Sequence, residues 1–78
     1  MAFTAIAIDH VNNLGWTALL EAVILGDGGA RHTEIVRLLL AKGANPNLPD
    51  RQGVTPLQHA RQRRQEEIGR LLQRGGAI

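Results

Sequence analysis

At 78 residues the chain has room for one domain, and a core of that size supplies about 3–5 kcal/mol net. It holds no cysteine, which excludes disulfides and thiolate metal sites, and no run of about 20 apolar residues that could cross a membrane. The net charge of +2 is unevenly placed, running from −2 over residues 1–50 to +4 over residues 51–78.

The first nine residues are apolar, with Phe3, Ile6 and Ile8 prominent and no positive charge ahead of them. That makes a poor signal peptide, and a cytoplasmic location is the default expectation. Two readings of this stretch stand. It is a short extended arm folded onto the first helical unit, or the end of an incomplete preceding unit that leaves an apolar flank open to self-association. Asn12-Asn13-Leu14-Gly15 is a turn signal, and Thr17 is placed to cap a helix beginning just after it. After the glycine-rich Gly26-Asp27-Gly28-Gly29 comes the most strongly periodic run in the chain. Ile35, Leu38 and Leu39 fall at i, i+3 and i+4, Val36 and Leu40 widen the stripe, and Gly43 ends it. A helix this apolar needs cover on more than one side.

The cover is a second copy. Glu34-Ile35, Leu38-Leu39 and Gly43-Ala44 recur at one constant offset as Glu67-Ile68, Leu71-Leu72 and Gly76-Ala77. Gly15-Trp16-Thr17-Ala18-Leu19 recurs as Gly53-Val54-Thr55-Pro56-Leu57 at an offset longer by five. The first copy therefore carries five extra residues, assigned to 27–31. In the second copy Pro56 takes the first helical position, and Thr55 with Gln58 has the spacing of a capping box, which Thr17 with Leu20 lacks. Arg64 stands where the first copy has Gly26, a costly choice if the backbone there is left-handed.

A period of 33 residues, with G-x-T-P-L opening a helix and E-I-V-x-L-L-L closing the unit, resembles the ankyrin repeat. The resemblance implies an all-α solenoid of helix–turn–helix units joined by hairpin turns. It divides the chain into an N-terminal arm or remnant (1–11), a repeat with a five-residue insertion (12–49) and a C-terminal capping repeat (50–78). The cap follows from Val23-Ile24-Leu25, Val36 and Leu40 becoming Arg61-Gln62-Arg63, Gly69 and Gln73, each exchange removing apolar surface from the terminal unit. Leu20 and Gln58 occupy the position where the family usually has histidine.

Nothing in the chain points to catalysis. There is no serine, and Gly26 to Gly29 lack the Lys-Ser/Thr pair of a phosphate loop. His10, His32 and His59 have no metal-ligand spacing, and the adjacent Glu66 and Glu67 point in different directions on a helix. The expectation is a protein without cofactor or metal that binds another protein. Carried over from the family, the binding positions are the hairpin tips Asn13, Leu14, Trp16, Arg51, Gln52 and Val54, with Glu21, Ile24, Leu25, His59, Gln62 and Arg63 on the first helices. Trp16 is the strongest single candidate. Glu21 and His59 hold equivalent positions, so they either pair along the concave face or each point into solvent. Two rival readings remain. One is polyanion binding, to nucleic acid or an acidic protein, through Arg61, Arg63, Arg64, Arg70 and Arg74. These are spread round two helices with no aromatic among them, which disfavours nucleic acid. The other is a piece of a longer array without independent function.

Overall fold

The computed structural model describes residues 8–78. Phe3 and Ile6, and with them most of the expected N-terminal arm, lie outside the described residues.

Four helices and no strand are present among the described residues: α1 (Ala18–Leu25), α2 (Ala30–Ala41), α3 (Pro56–Gln62) and α4 (Glu66–Arg74). Local chemistry sets the helix starts. Thr17 Oγ1 accepts from Leu20 N–H, and Thr55 Oγ1 from Gln58 N–H, each at 3.2 Å. The Gln58 side chain returns the bond to Thr55 N–H at 3.0 Å, completing the expected capping box. Of the five surplus residues, Asp27, Gly28 and Gly29 lie before α2, while Ala30 and Arg31 are its first turn. α2 runs to 12 residues against 9 in α4.

Helix ends are set by backbone handedness. Past α2, Gly43 N–H reaches Leu40 C=O and Ala44 N–H reaches Leu39 C=O; past α4, Gly76 and Ala77 do the same to Gln73 and Leu72. These are Schellman turns with a left-handed residue at their centre. The end of α3 has the same two bonds, but Arg64 holds the left-handed position at φ +56°. Gly26 does not match it, since its φ of −83° is open to any residue. Glycine is required there by space: a Cβ would lie 2.7 Å from the His32 ring. The carbonyls at that end are met from the other unit, where Gln65 Nε2 donates to Val23 and Gly26 C=O, each at 3.2 Å.

Each unit is a helix pair, and the pairs stack so that α1 packs on α3 and α2 on α4. Between them lies one core of Leu19, Val23, Val36, Ala44, Leu57, Ala60, Ile68 and Leu72. Burying each larger aliphatic side chain contributes about 1.5–3 kcal/mol. The periodic stripe of α2 is only partly inside. Val36 is its buried residue, Leu39 and Leu40 are half-buried, and Ile35 and Leu38 are exposed. Val36 joins the core shared with the second unit, whereas Ile35 lines a groove between α1 and α2.

Candidate partner-binding face

Both hairpin turns are built from one kind of side chain at one position. Asn12 Oδ1 accepts from Leu14 and Trp16 N–H at 2.9 and 3.0 Å, and Asp50 Oδ1 accepts from Gln52 and Val54 N–H, both at 2.9 Å. The backbone closes each turn identically, Asn12 pairing with Trp16 and Asp50 with Val54. The two tips are tied together by Arg51, whose Nη2 donates to Asn13 C=O at 2.8 Å. Its side chain lies so close over Gly15 that a Cβ there would meet Arg51 Cγ at 2.6 Å.

The second atom of each turn side chain reaches the helix of its own unit. Asn12 Nδ2 donates to Glu21 Oε2 at 3.2 Å, and Asp50 Oδ2 accepts from His59 Nε2 at 2.8 Å. Arg63 Nη1 donates to His59 Nδ1 at 2.8 Å. A guanidinium has no acceptor, so in this contact Nδ1 accepts and Nε2 is the nitrogen that donates to Asp50. The Asp50 carboxyl is held below its ordinary value, chiefly by the Val54 N–H, then by the His59 and Gln52 hydrogen bonds, against the opposing effect of burial.

Among the residues expected to bind a partner, Asn13, Leu14, Glu21, Leu25, Arg51, Gln52, Gln62 and Arg63 are exposed. Trp16, Ile24 and Val54 are half-buried. His59 is buried, its two ring nitrogens taken by Asp50 and Arg63. The expected relation of Glu21 to His59 is corrected. They do not pair: Glu21 is exposed and accepts from Asn12, whereas His59 is buried between Asp50 and Arg63 and does not face solvent.

The arginine cluster is also reorganised. Arg61, Arg64 and Arg70 line a single groove between α3 and α4, whereas Arg63 is engaged with His59. A second groove, of about 330 Å³, lies between α1 and α2 and is lined by Ala18, Ala22, Leu25, Ile35 and Leu39 with Glu21 and His32. Among the described residues no cluster of side chains could hold a metal ion, and no helix is long and apolar enough to cross a membrane.

One relationship repeats between units and is absent from the expectations drawn from sequence. Asp9 Oδ1 accepts from Asn45 N–H at 2.9 Å, and Asn47 Oδ1 accepts from Ile78 N–H at 3.0 Å. Asp9 and Asn47 are separated by the longer repeat offset, and Asn45 and Ile78 by the shorter. The available signal was an Asp or Asn at matched positions.

A family model described as ankyrin repeats (3 copies) matches residues 3–77. The Escherichia coli K12 protein YahD, named as an ankyrin repeat protein, is 51% identical over 77 residues, covering 99% of this chain and 38% of its own length. The ankyrin repeat protein L92 of Acanthamoeba polyphaga mimivirus is 37% identical over 70 residues, covering 90% of this chain and 16% of its own. Among solved structures, an ankyrin repeat domain from Acinetobacter baumannii superposes with a TM-score of 0.92 at 59% identity, over 95% of this chain and 38% of that one. The chain thus spans well under half the length of these relatives. The match over nearly all its residues, together with the repeated turns, caps and stacked helix pairs, places it: the chain belongs to the ankyrin repeat family.

Proposed function

We propose that the chain is a non-catalytic module, acting in the cytoplasm, that binds a protein partner across its hairpin tips and the adjoining face of α1 and α3. Ankyrin repeats as a family mediate protein–protein interaction. The observation that supports this surface is a pair of large aliphatic side chains on one hydrogen-bonded frame. Leu14 is 59% and Leu25 65% exposed, on a turn and a helix joined by the Asn12–Glu21 bond. Single exposed leucines are ordinary. Two on a turn and a helix held together by a hydrogen bond are candidate anchors, and holding them together lowers the ordering cost of binding. Trp16, Arg51, Gln52, Gln62 and Arg63 extend the face, and His59 serves as part of its frame.

The absence of native cysteine gives a clean test. A photo-crosslinker on a single cysteine at Leu14 or at Gln62, which lies outside the α1–α2 groove, is expected to trap the same partner. One at Lys42, on the far end of α2, is expected to trap none. Capture from Lys42 alone would reject the assignment.

Self-association has its own support in the α1–α2 groove. Ala18, Ala22, Ile35 and Leu39 are in register with Pro56, Ala60, Ile68 and Leu72, which are buried against the first unit. The first unit therefore presents an apolar stacking face of its own, with Ile35 38% exposed. Sedimentation across a hundredfold dilution tests it: association is expected to weaken on Ile35→Lys, and a dilution-independent monomer would sink the reading.

A further inference from the structure

Two residues of the second unit break local rules, and both border one groove. Gly69 lies inside α4, where glycine weakens a helix relative to alanine. A Cβ there would meet only Leu57 Cδ1, at 3.8 Å, so no close approach within the chain requires it. Arg64 occupies the left-handed position that the ends of α2 and α4 give to glycine. Gly69 strips apolar surface from this unit, as the other exchanges in it do, whereas the left-handed backbone of Arg64 has no such account, and strain of this kind concentrates at functional sites.

The groove between α3 and α4 measures about 510 Å³. Buried Leu57, Ala60 and Gly69 form its floor, and Arg61, Arg64 and Arg70 stand around it. Among the described residues Arg61 and Arg64 have no carboxylate partner, while Arg70 is bonded to Glu67 at 3.1 Å. Gln65 also borders the groove, and its Oε1 is buried without a hydrogen-bond partner.

We infer that this groove is a second docking site, for an acidic peptide segment that sets carboxylates against Arg61 and Arg64 and a small apolar side chain over Gly69. The occupant follows from charge and shape. Guanidinium groups pair carboxylates through two parallel bonds, the groove sets three arginines against the single Glu66, and the apolar floor suits aliphatic side chains. Nucleic acid fits less well, because no aromatic side chain lines the groove for stacking and Glu66 interrupts its rim. The site is separate from the tip face and does not rest on that assignment.

The test uses fluorescence anisotropy at physiological salt with three labelled probes: a peptide alternating Asp or Glu with Leu or Ala, its Asn/Gln analogue, and an oligothymidylate. The acidic peptide is expected to bind most tightly. Arg61→Gln and Arg64→Gly are each expected to weaken it about fivefold or more, and Arg37→Gln, an equal loss of charge on α2, to leave affinity within about twofold. Gly69→Val is expected to weaken binding while circular dichroism stays unchanged. Arg64→Gly separates binding from folding, because it is expected to raise Tm as affinity falls. Equal binding of the neutral analogue, equal loss in Arg37→Gln, or tighter binding of the oligonucleotide would each overturn the assignment.

Discussion

His59 donates through Nε2 to Asp50 Oδ2 at 2.8 Å, and one unit earlier Asn12 and Glu21 make the same bridge with donor and acceptor exchanged. In both units the turn side chain spends one oxygen on two backbone N–H groups. Its second atom is then free to choose the helix partner, an amide taking a carboxylate and a carboxylate taking an imidazole. The position on the first helix is therefore dictated by its own turn, not by its neighbour in the stack.

That exchange can be transplanted. Asn12→Asp keeps the oxygen that organises the first turn but turns a carboxylate toward Glu21, at an expected cost of about 1 kcal/mol at this exposed site. Adding Glu21→His should recover most of the loss by recreating the bridge of the second unit. Urea denaturation of the four proteins gives the coupling energy; strictly additive effects would mean that the bridge carries no energy of its own.

The Asp50 carboxyl makes stability pH-dependent in a defined direction. Its folded pKa lies below the ordinary value of 3.8, with the Val54 N–H the leading cause. A depressed carboxylate contributes stability that is fully present above the unfolded pKa and is lost as pH falls through the folded one. Thermal melts should therefore drop in the acid region below about pH 4, and Asp50→Asn should show a shallower acid decline from a lower starting Tm. An acid limb of the same steepness in Asp50→Asn would assign the effect to other groups.

Arg64→Gly removes the one left-handed backbone position filled by a side chain among the described residues. Relief should stabilise the fold by about 1 kcal/mol. Gly43→Ala is the converse, since a Cβ there meets nothing within 4 Å and its penalty comes from φ +95° alone. Opposite shifts of similar size in Tm are expected, and a destabilised Arg64→Gly would show that the arginine makes a contact worth more than its strain.

Much of this architecture is legible in the residues because it is set locally. Thr55, Pro56 and Gln58 specify a helix start within four positions, and Gly43 and Gly76 specify helix ends, so neither needs knowledge of the tertiary fold. The phase of α2 is not legible in the same way. Its second half crowds Ile35, Val36, Leu38, Leu39 and Leu40 together, so the periodic stripe of Ile35, Leu38 and Leu39 competes with the neighbouring face, and it is the packing of α2 on α4 that puts Val36 in the core. The arginine groove is assembled from α3 and α4 together, so Arg61 and Arg70 meet only once the helices pair. The Asn12–Glu21 and Asp50–His59 bridges are readable in principle, as complementary donor and acceptor types at one matched spacing in both copies.

The units are also joined by a bond that recurs at the repeat spacing, from Asp9 to Asn45 N–H and from Asn47 to Ile78 N–H. Each meets a backbone donor just beyond a Schellman turn, where no helical partner remains. Asn47 does more than Asp9, because its Nδ2 also donates to Gly76 C=O at 3.2 Å, a bond that a carboxylate cannot supply. Losing the side chain should therefore cost about 1 kcal/mol at Asp9 and more at Asn47, where a donor and an acceptor go together. Asp9→Asn should be tolerated, since the acceptor oxygen is kept. Hydrogen exchange locates the effect better than global stability does. In Asp9→Ala the Asn45 amide should exchange faster with Ile78 unchanged, and in Asn47→Ala the pattern should reverse. Uniform acceleration of both amides in either variant would show that these bonds report general unfolding and do not link the units one by one.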